Sequence, residues 1–227
     1  SPAFLFMYVN SLSTCQLVSL STERNMFIEQ VPKLFRMLYP HAEWRGNTKE
    51  KVVYLTFDDG PIPGVTPWVL DLLDKYGIKA TFFLVGDNVR KHPEEFRMIV
   101  ERGHRVGNHT FNHIKGPSYK ASSYVANVEK ANELIQSDLF RPPHGWMGYK
   151  QYHTLRRRYR IIMWDLVTRD YSKRLNGRQV FAKLKHYVRN GSIITFHDSL
   201  KSERNLKYAL PRSIEWLLEQ GYRFELL

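Results

Sequence analysis

A chain of 227 residues with 43% hydrophobic and 14% aromatic side chains can bury a substantial core, which excludes a disordered polymer and fits one α/β domain. Its formal charge of +12 favours polyanionic surroundings such as nucleic acid, anionic cell-wall polymer or lipid headgroups, without choosing among them. The lone Cys15 excludes an internal disulfide and a cysteine-based zinc cluster, so any metal has to be held by His, Asp or Glu.

No stretch approaches the roughly 20 apolar residues needed to span a bilayer. Ala3 to Val9 has the length of a signal core but no basic residue before it, and Leu12-Ser13-Thr14-Cys15 makes a poor lipoprotein cleavage site. Met26 opens a segment of different character, so residues 1–25 are expected to be a tail or an upstream extension. Residues 1–50 as a whole are read as an N-terminal extension and lead-in to a domain at 51–227.

From Lys51 onward, short apolar runs alternate with helical patterns, the rhythm of parallel βαβ units. Seven strands are predicted, at 51–57, 80–84, 104–108, 138–141, 160–165, 192–197 and 222–226. Thr66-Pro67 starts a helix that Gly77 ends, and Pro93 starts one that Gly103 ends. Further helices are predicted at 122–136, 149–158, 176–190 and 203–220, with Pro211 splitting the last into two pieces. Arg156-Arg157-Arg158 reads as a solvated helix end, and no zinc finger, aromatic RNA-binding sheet signature or recognition helix accompanies the positive charge, so no nucleic-acid partner is expected.

Polar motifs follow five of these strands: Asp58-Asp59, His109, Arg141-Pro142-Pro143, Asp170 and His197-Asp198. A closed barrel gathers all such loops on one rim, whereas an open sheet with one crevice gathers fewer. The expected fold is therefore a distorted, seven-stranded (β/α) barrel in a single domain.

An isolated Asp-Asp-Gly is an ordinary strand-capping turn. Here Asp59 combines with His109 and His113, four residues apart and able to face one ion from a single helical turn, into a His-His-Asp set that leaves positions open for water and substrate. Thr110 stands where a zinc-protease motif needs its Glu base, so the base has to come from elsewhere, and Asp58 is nearest. A cation acidifies water, which lets a carboxylate take the proton near neutral pH. His197 can return a proton to a leaving group, with Asp170 fixing its tautomer, and Arg141 can orient Asp58. His104 opens an apolar strand and reads as a core histidine. Neither a Gly-x-Ser-x-Gly elbow nor a phosphate-binding Gly-x-x-x-x-Gly-Lys loop is present.

Taken in order, Thr56-Phe57-Asp58-Asp59-Gly60-Pro61, His109-Thr110-Phe111-Asn112-His113, Arg141-Pro142-Pro143-His144-Gly145, Trp164 to Tyr171 and His197-Asp198 resemble the five motifs of polysaccharide deacetylases, carbohydrate esterase family 4 or the NodB-homology family. The resemblance covers roughly Lys51 to Leu227. It implies hydrolysis of N-acetyl or O-acetyl groups on a glycan by a barrel holding a divalent metal, usually zinc, with cobalt, nickel or manganese as alternatives. By motif position it implies Asp59, His109 and His113 as metal ligands, Asp58 as base, His197 as acid, Arg141 and Asp170 as their partners, and the His144 backbone N–H as an oxyanion donor.

Four positions depart from the family pattern: His144 replaces an aromatic residue, Val167 an aspartate, Tyr171 a tryptophan and Thr195 a leucine that lies against the acetyl methyl. His144, Tyr171 and Thr195 are thus candidate substrate contacts in a more polar pocket, and Trp146 and Tyr149 are candidates to stack on sugar faces. The resemblance also implies an acetylated glycan as partner, which an envelope or periplasmic location would suit, although no export signal in the sequence assigns a location. The alternatives are a hydrolase of small amides and a silent glycan- or polyanion-binding protein.

Overall fold

The computed structural model describes residues 29–227; Ala3 to Val9, Cys15 and Met26 lie outside them. β1 (Val52–Asp58) is buried along its whole length, as a strand covered on both faces must be. Its alternation sets the layout. Val53, Leu55 and Phe57 face the main core, where Phe57 stacks on Phe82 at 4.9 Å. Val52 and Tyr54 belong to a second cluster with Phe83, Leu139 and Ile193. Thr56 and Asp58 continue that second face toward the strand's C-terminal end.

β2 (Thr81–Leu84) pairs with β1 from Thr56 to Asp58, and β8 (Arg223–Phe224) with its beginning at Val52 and Val53. β7 (Ser192–His197) pairs with β1 from Val53 to Asp58, which sets Asp58 beside His197. β3 (Arg105–Asn108), β4 (Leu139–Phe140) and β5 (Arg160–Ile161) extend the sheet beyond β2, and β6 (Leu166–Val167) beyond β7. The path is β5-β4-β3-β2-β1-β7-β6, all pairings parallel, with β8 attached to β1. This is the distorted seven-stranded (β/α) barrel expected, in the form of a curled half-barrel.

The predicted strand at 160–165 is two strands. β5 pairs with β4 and β6 with β7, so the chain crosses here from one end of the sheet path to the other. Between them Asp165 is fully buried, accepting hydrogen bonds from Arg36, Arg189 and Ser192. An apolar run on its own does not reveal that its two halves have different partners. The lead-in segment bridges the gap. The Glu43 N–H donates to the Ile161 carbonyl and the Glu43 carbonyl accepts from Met163, both at 2.8 Å, while Gly46 donates to Gly191.

The helices are α1 (Lys33–Arg36), α2 (Thr66–Lys75), α3 (Gly86–Lys91), α4 (Pro93–Glu101), α5 (Ala121–Ile135), α6 (Tyr149–Leu155), α7 (Gly177–Tyr187) and α8 (Glu203–Glu219). Pro211 does not split α8. Leu206, Leu210, Ile214 and Leu217 anchor the helix to the core on either side of it, and Lys207, whose carbonyl a proline at position 211 cannot bond, is exposed. The short α1 and α3 have too few residues for a periodic signal and escape the sequence reading. Among the described residues no helix is long and apolar enough to cross a membrane.

Candidate active site

At the end of β1 the two aspartates separate. Asp58 Oδ1 accepts a hydrogen bond from Arg141 Nη1 at 2.6 Å. Asp59 takes φ +83°, and its Oδ1 lies 3.2 Å from His113 Nε2 and 3.9 Å from His109 Nε2. A side chain at Gly60 would place Cβ 2.1 Å from Asp198 Oδ2, so the turn requires glycine.

The two histidines do not share a helical turn. Thr110 and His113 adopt positive φ, and the Asn127 carboxamide oxygen accepts from the N–H groups of Phe111 and Asn112, closing a bend that sets the imidazoles 5.1 Å apart. His109 Nδ1 lies 2.7 Å from the Arg141 carbonyl. A carbonyl only accepts, so Nδ1 carries the proton and the Nε2 lone pair faces Asp59, the tautomer a metal requires. Burial lowers the His109 pKa to about 4, keeping the ring neutral and able to ligate. Burial by itself would raise Asp59, but the His113 hydrogen bond and the surrounding imidazoles outweigh it and hold the carboxyl well below its usual range. One atom from each of Asp59, His109 and His113 lies within 4.8 Å of the others. Two imidazole nitrogens and a carboxylate fit a divalent cation, and the Asp59 and His113 side chains, 28% and 34% exposed, leave the set open to solvent.

Arg141 crosses the fully buried floor of this site. Besides Asp58 it reaches the Thr56 hydroxyl at 2.8 Å, the Met163 carbonyl at 2.9 Å and the Thr195 hydroxyl at 3.2 Å, and its guanidinium lies 4.0 Å over the Phe83 ring. Burial lowers its proton affinity and Asp58 opposes that shift. So many fixed partners hold the guanidinium, and through it Asp58, in one geometry.

On the opposite side Asp170 receives two hydrogen bonds from one residue, His197 Nδ1–H on Oδ1 at 2.7 Å and the His197 backbone N–H on Oδ2 at 2.8 Å. The acceptor-only carboxylate leaves Nε2 as the free nitrogen. Burial lowers the imidazole's proton affinity, but Asp170, with Asp59 and Asp58 behind it, reverses this and raises the pKa to about 9. Tyr171 packs edge-on against the ring at 4.7 Å.

The structure thus brings Asp58, Asp59, His109, His113, Arg141, Asp170 and His197 to one rim. His144 joins them at φ +59°, its ring 4.9 Å from that of His113. Thr195 is buried, with its hydroxyl committed to Arg141 and Thr56, so it adds no free polar group to a pocket. Trp146 packs against the cluster around Tyr152 and Met163, while Tyr149 stands 46% exposed with its ring 4.2 Å from His153. His104 is a core histidine, accepting from Ala80 and packed on Phe82.

Sequence reasoning missed two supports. Asn205 Nδ2 on α8 donates to the Asp170 carbonyl at 2.8 Å, fixing the loop after β6. Asp198 accepts from Gly60 N–H at 3.0 Å and shares a 2.6 Å hydrogen bond with Thr66, tying two rim loops together. The adjacency His197-Asp198 was the visible signal, but not its meaning. Burial, aided by the charge of Asp59, raises the Asp198 pKa to about 8. The unfolded chain releases this proton near pH 4 and the folded one near 8, so between them the folded state holds more protons and stability falls as pH rises, by up to about 1.4 kcal/mol per pH unit. Asp198→Asn, which still offers a carbonyl to Gly60 and a donor to Thr66, is expected to flatten this decline. Melting temperatures of the metal-free proteins at pH 5 and pH 8 check it.

Fold and site together define a barrel enzyme in which Asp59, His109 and His113, a group that could hold a metal ion, lie between a buried Arg-Asp pair and an Asp-His pair. A family profile described as "Polysaccharide deacetylase" matches residues 45–157. A peptidoglycan-N-acetylglucosamine deacetylase of Bacillus cereus is 32% identical over 195 residues, covering 81% of this chain and 90% of that protein. The structure of a peptidoglycan N-acetylglucosamine deacetylase in complex with 4-naphthalen-1-yl-N-oxidanyl-benzamide superposes with a TM-score of 0.79 at 28% identity, over 87% of this chain and 95% of the other. A structure described as a CE4 family pseudoenzyme from Bacillus anthracis matches with a TM-score of 0.73 at 27% identity, over 83% and 68%. The chain belongs to the polysaccharide deacetylase family, carbohydrate esterase family 4.

Proposed function

We propose that the protein removes acetyl groups from an N-acetylated, acidic glycan of the cell wall, and so acts at the cell envelope. The arrangement of Asp58–Arg141 and His197–Asp170 on either side of the Asp59–His109–His113 set supports this reading most directly. A similar fold can belong to a pseudoenzyme, so the residues rather than the fold argue for turnover.

A divalent metal held by Asp59, His109 and His113, with zinc best suited to two imidazoles and one carboxylate, would supply Lewis-acid activation of the water and the acetyl carbonyl. Asp58, its Oδ1 fixed by Arg141, takes the proton of the attacking water at Oδ2. The His144 backbone N–H, in the first turn of the 3-10 helix Pro143–Gly145, donates to the oxyanion. His197 Nε2–H protonates the departing nitrogen, giving acetate and a free amine. An O-acetyl ester could use the same groups, but the relatives are named for N-acetyl sugars, which favours the amide.

The acidic character follows from the rim. Beyond the site carboxylates and the buried Asp198, the charges without an ion-pair partner among the described residues on the loops after β3, β6 and β7 are all positive: Lys115, Lys120, Lys173, Arg174 and Lys201. Lys115 and Lys201 both act electrostatically on His144, which places them near the mouth of the site. On an acetylated oligosaccharide bearing carboxylates, kcat/KM is expected to fall about tenfold between 50 and 300 mM salt, with little change on a neutral one. Acetate release from the two substrates across that range tests this. Equal salt slopes would contradict the acidic reading, and equal rates on small acetamides would favour the small-amide alternative.

A further inference from the structure

We infer that Glu29, in the lead-in segment and outside every motif of the family, is a positioning residue for the Asp170–His197 pair, acting through Arg169. The inference rests on the reading of His197 as proton donor. Glu29 is 2% exposed, and a carboxylate so buried needs cationic partners to remain folded in. It has two: Arg169 Nη1 at 3.0 Å and the Lys183 ammonium. Its carbonyl also accepts the Val167 N–H at 2.9 Å, so residue 29 docks on β6 through both backbone and side chain.

Arg169 is more than a surface partner. It immediately precedes Asp170, its side chain is only 14% exposed, and its backbone sits at φ +58°, a conformation that costs a non-glycine residue energy and persists only where the surroundings impose it. The Glu29 ion pair holds the side chain of that strained residue, and Asn205 holds the Asp170 carbonyl from the other side. Between these two clamps the Asp170 carboxylate has little freedom to leave the two His197 donors. Glu29 and Arg169 also both act electrostatically on Tyr171, which packs on the His197 ring. The lead-in segment therefore does more than close the barrel: it sets the geometry of the acid.

Glu29→Gln and Arg169→Gln approach the clamp from its two ends, so that one informs even where the other folds poorly. Lys183→Gln removes Glu29's second partner and leaves the first. Two readouts are needed. Amide hydrogen exchange at His197 reports the bond from its N–H to Asp170 Oδ2 and does not depend on turnover. The expected result is exchange at His197 at least about tenfold faster in Glu29→Gln and Arg169→Gln, with the β1 amides unchanged, and near-normal exchange in Lys183→Gln. On an acetylated glycan the same two variants should lose about 10- to 100-fold in kcat with KM within about twofold, the effect of a misplaced catalytic group. Uniform acceleration of His197 and β1 amides would mean that Glu29 only stabilises the fold, and unchanged His197 exchange would overturn the clamp. Faster His197 exchange in these two variants, together with a wild-type protein that releases no acetate from any glycan, would uphold the clamp and count against the proposed reaction.

Discussion

Asp58→Asn is expected to lower acetate release by about 10²- to 10⁴-fold, the range for loss of a general base, while leaving metal affinity nearly intact. The substitution keeps the shape of the side chain and one acceptor for Arg141, but the amide cannot take a proton. It also leaves a fully buried guanidinium without its counter-charge. Breaking a buried pair from one side typically costs about 3–5 kcal/mol. The low end is expected here, because Thr56, Thr195 and the Met163 carbonyl still hold Arg141. Kinetics and metal titration at a temperature well below the variant's melting point separate the lost proton acceptor from the lost stability. An active Asp58→Asn enzyme would move the base elsewhere.

Removing His113 or His109 should abolish activity by different routes. His113 is part-exposed, and its ion-pair partner among the described residues is Asp59, so His113→Ala should lose metal affinity by well over the roughly 100-fold typical of disturbing an outer partner, with the melting temperature of the metal-free protein almost unchanged. His109 is buried and its Nδ1–H anchors the Arg141 carbonyl. His109→Ala should lose both metal binding and stability. Calorimetric zinc titration and thermal melts of both variants check the contrast. In the wild type, added metal should raise stability by about 2.7 kcal/mol at a hundredfold excess over Kd, and a chelator should reverse it.

Much of this site was legible in the sequence because each motif sits at a strand's C-terminal end and the parallel βαβ rhythm carries those ends to one rim. Asp58, Asp59, His109, Arg141 and His197 needed only that rule. The way His109 and His113 meet was not legible, since positive φ at Thr110 and His113 gives no sign in residue type. Nor was the role of Thr195. Its alignment with a leucine suggested a contact with the acetyl methyl, but strand register sets it beside Thr56, and its hydroxyl bonds Thr56 and Arg141. Long-range partners were invisible for the same reason: Glu29 with Arg169, Asn205 with Asp170 and Asp198 with Gly60 depend on closure of the barrel and leave no local pattern.

Acetate release from N-acetylated peptidoglycan fragments, measured with zinc and with chelator and paired with counting of new free amines, tests the central claim most directly. The account predicts one amine per acetate, release that stops on chelation and returns with zinc, and release about 10²- to 10⁴-fold slower in Asp58→Asn. Release that persists in the fully metal-stripped protein, or zinc binding with no release from acetylated glycans of either charge, would contradict it.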